Sequence, residues 1–316
     1  MALWAIIALT AAGLFVFFLL IPAVLVFFAV FGKKKAIPFE QYDLKKFSSH
    51  YYIPYLGRIA DARKRLKAYP HSAVTITSAD GLRMYGEFYD RGSDRTAILF
   101  HGINAEMYTN ISAQSLFLYE SGFNVLMTCQ RAHGKSEGHF TTIGLRERYD
   151  VRDWVRYVEQ SSAKDILLYG VSMGAAGVAY ASPLLGGTRV RAMVLDSCFY
   201  SIYEQMRRDA YKRNIPKIML PAQWVLAKLL LRVNIKESTA SALAKTTVPA
   251  FFLHGTGDET VECRWAQTNC EACASPKQLL LAENAPHTLS MLEQPEIVKR
   301  ELKGFFEQYF QPAQGR

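Results

Sequence analysis

Asp165-Ile166-Leu167-Leu168-Tyr169-Gly170-Val171-Ser172-Met173-Gly174-Ala175-Ala176-Gly177 carries the reading on which the fold turns. Ile166 to Tyr169 is an apolar run of strand length, and Ala175 to Ala181 is an alanine- and glycine-rich stretch able to begin a helix. A chain that reverses this sharply leaves room only for small residues on either side of Ser172, whose side chain then projects at the C-terminal edge of a sheet. The bare G-x-S-x-G pattern arises by chance in roughly one chain in ten of this length. The strand before it and the helix after it are what make it informative.

Working outward, short apolar runs recur at separations that leave room for helices: Ala97 to Phe100, Phe123 to Thr128, Ala192 to Leu195, Ala250 to Leu253 and Leu279 to Leu281. Strands that are apolar throughout are buried on both faces, as in a mostly parallel sheet covered by crossover helices, so the fold class is α/β with helices on both faces. Ile143 to Glu159 and Pro295 to Phe310 carry apolar residues at helical spacing with charges between, which predicts two of those helices. Ahead of the parallel pattern, Ala73 to Ser78 and Leu82 to Tyr89 alternate apolar and polar around Ala79-Asp80-Gly81, which predicts a β-hairpin. Ser201 to Thr247 is too long for an ordinary connection and is rich in Lys, Arg, Leu and Met, which predicts a short helical lid inserted over the sheet.

A serine hydroxyl is a weak nucleophile, so Ser172 needs a base that is itself held by an acid. Asp258 lies just beyond the predicted strand Ala250 to Leu253, and His287 just beyond Leu279 to Leu281, so both are brought to the edge where Ser172 projects. The reading is therefore Ser172 as nucleophile, His287 as general base and Asp258 as the orienting acid. Asp196, at the end of Ala192 to Leu195, is the rival acid; His101, His133 and His254 also sit near strand ends and are expected to shape loops. Two backbone N–H groups must face the developing oxyanion. Met173, after the nucleophile, is expected to supply one, and Ile103, in the loop after Ile98-Leu99-Phe100-His101-Gly102, the other. Gly134-Lys135-Ser136 is no phosphate loop, because the first glycine of G-x-x-x-x-G-K-S/T is replaced by Cys129.

These motifs resemble α/β-hydrolases of the serine aminopeptidase and monoacylglycerol lipase-like group, close to bacterial membrane-tethered hydrolases. The resemblance runs from about Ser72 to Phe310, and its carriers are Ser78 to Leu82, His101 to Asn104, Arg131 to Gly138, Gly170 to Gly174, His254 to Val261 and Ala285 to His287. Gln130, Ala132 and Glu262 depart from it, standing where relatives usually carry Asp, Gly and Pro, and all three bear on loop geometry. The resemblance implies the α/β-hydrolase fold and the Ser172, Asp258 and His287 triad; the activity expected is hydrolysis of a carboxylic ester through an acyl-enzyme, with no cofactor or metal, and the apolar N-terminal run and the apolar insertion favour a lipid-like or medium-chain acyl substrate. Two other readings stay open: an aminopeptidase or amidase, for which Glu204 or Asp209 would hold the substrate amine, and a non-catalytic membrane-bound scaffold.

From Ala2 to Gly32 no residue is charged, a length sufficient to span a bilayer. The chain therefore divides into a transmembrane anchor at 1–32, a basic juxtamembrane segment at 33–70 and the catalytic domain at 71–316, with the lid at about 201–247. A cleaved signal peptide would place its basic residues before the apolar run, whereas Lys33, Lys34 and Lys35 follow it, with Lys45 and Lys46 close behind. The positive-inside rule then puts the catalytic domain in the cytoplasm, and the segment to Pro70 is expected to lie on an anionic leaflet. That segment holds ten Lys or Arg against three acids, most of the formal net charge of +9, so the rest of the chain lacks the basic stripe of a nucleic-acid-binding protein. Five cysteines in a long chain suit packing in a reducing compartment, and Cys263, Cys270 and Cys273 lack an evident fourth partner for a metal.

Overall fold

The computed structural model describes residues 2–34, 50–105, 107–160, 164–216 and 218–310. The chain divides into two units, Met1–Gly32 with Ser201–Glu237, and Lys33–Tyr200 with Ser238–Arg316.

The first unit joins the two apolar stretches. A helix Leu3–Phe31, with mean hydropathy 3.1, is long and apolar enough to cross a membrane. It is broken by a π turn, Val16–Leu20. Pro22 accounts for the break, since its ring displaces the carbonyl four residues earlier. The insertion is helical at Ile202–Lys212 and from Met219 through Leu231. Its Gln223 Nε2 donates to Ala23 O at 2.7 Å, joining the insertion to the N-terminal helix. Ile218, Leu229 and Leu230 stay exposed.

The second unit is built on an eight-stranded sheet: β1 (Ser72–Thr77), β2 (Arg83–Tyr89), β3 (Arg95–Phe100), β4 (Asn124–Thr128), β5 (Asp165–Val171), β6 (Val190–Asp196), β7 (Ala250–Gly255) and β8 (Lys277–Ala282). Their order is β1-β2-β4-β3-β5-β6-β7-β8. The predicted hairpin is the antiparallel pair β1 and β2, and β2 is also antiparallel to β4; the remaining pairs are parallel. β4 and β7 are buried throughout, as the apolar runs Val125 to Met127 and Ala250 to Leu253 within them require. β8 departs from that expectation: it pairs only with β7 at the sheet's edge, and Leu279 is exposed.

One further expectation is corrected. The helix predicted from Ile143 begins at Glu147, because Ile143 and Gly144 have φ of 51° and 102°, outside the helical region. The Glu147 carboxylate instead closes that turn, accepting from the Thr141 and Thr142 hydroxyls and from the Thr142 and Gly144 N–H groups at 2.6–2.9 Å. The boundary between the two units falls between Gly32 and Lys33, where the apolar run ends. The helix Leu56–Lys67 buries Ile59, Ala62 and Leu66, and it packs on the helix Met107–Glu120. Spacing of three and four residues explains that face, which the density of Lys and Arg obscures in the sequence. Lys35, Lys45 and Lys46, counted above as part of the basic segment, lie outside the described residues.

Candidate active site

Ser172 stands between β5 and the helix Met173–Ala181, with φ 53° and ψ −112°. A non-glycine residue held there costs on the order of 1–3 kcal/mol, which its surroundings must offset. The flanking glycines are sterically required. A Cβ on Gly174 would sit 2.1 Å from the Phe100 carbonyl oxygen, and one on Gly170 2.5 Å from Ala175 Cα. The helix Met173–Ala181 packs back onto β3, β5 and β6. β5, β7 and β8, all parallel, deliver Ser172, Asp258 and His287 at their C-terminal ends.

The three side chains form one hydrogen-bonded line, with all three residues buried. His287 Nδ1 lies 2.6 Å from Asp258 Oδ2, and His287 Nε2 lies 3.0 Å from Ser172 Oγ. A carboxylate can only accept, so the ring hydrogen sits on Nδ1 and Nε2 is left to accept the Ser172 hydroxyl. Asp258 has two more donors on its other oxygen, the Thr260 and Val261 N–H groups, each at 2.8 Å. Burial alone would raise its pKa; the facing imidazoles, His287 first, outweigh that and hold the carboxyl well below the usual range.

His254 is a participant that its sequence position did not reveal. Its Nε2 lies 3.0 Å from Asp258 Oδ2, so the acid holds two imidazoles and all its strong acceptor positions are used. The His254–Val261 motif placed this residue near the acid loop but gave no sign that its ring turns back onto the carboxylate.

Asp196 is held differently. Its carboxyl takes the Ser197 hydroxyl at 3.0 Å and the Tyr169 hydroxyl at 3.3 Å, and no imidazole hydrogen-bonds to it among the described residues. Complete burial pushes it up to about 6. Ser197 Oγ in turn accepts the Thr288 N–H at 3.1 Å, so Asp196 anchors the loop that carries His287.

His101 and His133 lie under the neighbouring loops. His101 Nδ1 donates to Gly102 O at 2.7 Å and Nε2 accepts the Gln130 N–H at 3.1 Å, so both nitrogens are spent on backbone. Burial, helped by His133, pushes its pKa down to about 3. His133 Nδ1 bonds Arg131 O at 2.9 Å. Gln130, one of the departures noted above, donates from Nε2 to His101 O at 2.6 Å. Ala132, where relatives usually carry glycine, adopts φ 57°. These substitutions thus alter the loop scaffold and leave the hydrogen-bonded line untouched.

The loop after β3 lies close to the nucleophile. Asn110 Oδ1 takes the Gly102 N–H at 2.7 Å, and a Cβ on Gly102 would be 3.3 Å from Ser172 Cβ. Ile103 follows directly. Met173 is the first residue of its helix, where N–H groups have no intrahelical acceptor.

Comparison with known proteins agrees with this architecture. Residues 92–244 match the family described as serine aminopeptidase, S33, a span that contains Ser172 but ends before Asp258 and His287. The chain is 25% identical over 242 residues to Uncharacterized protein YqkD of Bacillus subtilis (strain 168), covering 75% of this chain and 79% of that one. It is 24% identical over 237 residues to Uncharacterized protein YfhR of Escherichia coli (strain K12), covering 72% and 78%. Among solved structures it resembles the Pyrococcus furiosus esterase Pf2001, with a TM-score of 0.64 at 24% identity, over 78% of this chain and 95% of that one.

Proposed function

We propose that this chain, which has the fold of α/β-hydrolases, is a membrane-anchored serine hydrolase cleaving carboxylic esters through an acyl-enzyme. The observation that carries the reading is the unbroken line from Ser172 Oγ through the His287 ring to Asp258. Ser172 Oγ attacks the ester carbonyl as its proton passes to His287 Nε2, and Asp258 balances the imidazolium that results. The Met173 and Ile103 N–H groups receive the oxyanion, an interaction worth about 10²- to 10³-fold in kcat per donor. His287 then hands its proton to the departing alkoxide, leaving the acyl group on Ser172. A water molecule repeats the sequence: His287 takes its proton, the hydroxide attacks the acyl carbonyl, and the proton returns to Ser172 as the acid leaves.

Ester rather than aminopeptidase chemistry is favoured by the state of the two acids that could hold a substrate amine. Glu204 is bound by Arg207 at 2.6 Å, and Asp209 accepts from Gln205 at 3.0 Å with Arg208 at 4.0 Å. Membrane anchoring rests on the apolar helix Leu3–Phe31 and on the exposed Ile218, Leu229 and Leu230 of the insertion packed with it. Lys33 and Lys34 directly after that helix support a cytoplasmic catalytic domain under the positive-inside rule. The substrate is then an acyl ester met at an anionic leaflet.

The test is labelling by a fluorophosphonate together with turnover of aryl esters and amino-acid arylamides. Wild type should label and cleave esters, and Ser172→Ala should abolish labelling and lower kcat by about 10⁶-fold. Fast arylamide turnover with silent esters would establish the peptidase instead, and a folded wild type that does not label would establish the scaffold.

A further inference from the structure

The stretch His50–Tyr55, counted in the sequence as part of a basic juxtamembrane segment, forms a 3-10 turn, and its Tyr51 and Tyr52 hydroxyls bond to loops of the site. Tyr52 is buried, with Tyr55, Ile59 and Leu289 in one apolar cluster. Its hydroxyl is hydrogen-bonded to Thr288 Oγ1, on the residue after His287. The same oxygen accepts from Asn110 Nδ2 at 3.3 Å, and Asn110 Oδ1 takes the Gly102 N–H at 2.7 Å. One phenol therefore ties the loop of the base to the loop expected to hold the oxyanion. Tyr51 makes a parallel link, its hydroxyl 3.2 Å from Thr260 Oγ1 in the loop whose N–H groups hold Asp258.

We infer that Tyr52 is a positioning residue for the hydrolytic reaction, and that the stretch following the apolar helix completes the active site rather than merely tethering it. The inference rests on the proposed roles of Ser172 and His287. Thr288 has φ 63°, an unfavourable conformation for a β-branched residue, and it is held in place from two sides, by Ser197 Oγ on its N–H and by Tyr52 on its hydroxyl. Removing one of those holds frees His287 to turn away from Ser172 Oγ without emptying the core.

The experiment uses the full chain in detergent, with rates expressed per fluorophosphonate-titrated serine so that misfolded protein does not count. Tyr52→Phe keeps the ring and its packing and deletes only the hydroxyl. It should lower kcat for an aryl ester about tenfold, the size of one hydrogen bond to a neutral partner, and leave KM within about twofold. The rate of fluorophosphonate labelling should fall by the same factor. Thr288→Ala should match it, Thr288→Ser should retain wild-type rates, and the Tyr52→Phe/Thr288→Ala double variant should be no slower than either single one. If Tyr52→Phe does not fold, the contrast between Thr288→Ala and Thr288→Ser decides the matter. Wild-type labelling with Tyr52→Phe at the wild-type rate, or an effect confined to KM, overturns the inference and leaves the triad standing. A wild type that never labels overturns both.

Discussion

Replacing Asp258 by Asn tests the reasoning about the site most sharply, because the structure fixes what the amide would meet. The carboxylate accepts four hydrogen bonds, two from imidazoles on Oδ2 and two from backbone N–H groups on Oδ1. An amide offers one oxygen. Whichever way it turns, its NH2 faces two donors, and the arrangement that keeps the backbone bonds sets NH2 against His287 Nδ1. The ring must then carry its hydrogen on Nε2, where it points at Ser172 Oγ and cannot accept that hydroxyl's proton. Loss of the correct tautomer is worth about 10⁴-fold in kcat, or roughly 5 kcal/mol at 1.36 kcal/mol per tenfold. Steady-state turnover of a p-nitrophenyl ester should show that loss with KM nearly unchanged, while Asp196→Asn, whose carboxyl meets only hydroxyls, should lose less than about tenfold. A reversal, with Asp196→Asn inactive and Asp258→Asn within tenfold of wild type, would refute the assignment of the acid.

Two further expectations concern the scaffold. Asp196 is held at about 6 by burial, above the ordinary 3.8, so the folded state keeps its proton longer than the unfolded state does; the stability it contributes is complete below about pH 4 and is lost as pH rises through 6. Asp196→Asn lacks that titration, so urea unfolding should find the variant gaining about 3 kcal/mol on wild type between pH 4 and pH 7.5, and a pH-independent difference would contradict the account. Gly174→Ala would drive a methyl group to 2.1 Å from a backbone oxygen of β3, which cannot yield cheaply, and should cost more than about 4 kcal/mol in the same assay or leave no folded protein.

The positions of Ser172, Asp258 and His287 could be read from the sequence because each follows an apolar run of strand length, and parallel strands align their C-terminal ends. Residues whose importance comes from tertiary contact carried no such mark. Tyr52 lies 236 positions from the threonine that it binds, in a segment whose charge suggested a membrane surface. His254 sits inside a strand, where an imidazole reads as loop scaffolding, and only the turn of the following loop brings Asp258 onto it. The late start of the helix at Glu147 was hidden for a related reason: periodicity marks which residues face the core, and the left-handed backbone at Ile143 does not interrupt that pattern. Asp196 read as a plausible acid because it too ends a strand, and its partners, two hydroxyls, are invisible to spacing.

The left-handed backbone at Ser172 also governs which inactive protein is a fair stand-in for the active one. Alanine keeps a Cβ at that position and inherits the same local tension, so its melting behaviour can be compared directly with that of the native chain. Glycine would let the turn relax by about 1 kcal/mol, and any ligand-induced stiffening measured on such a protein would be read against a shifted baseline.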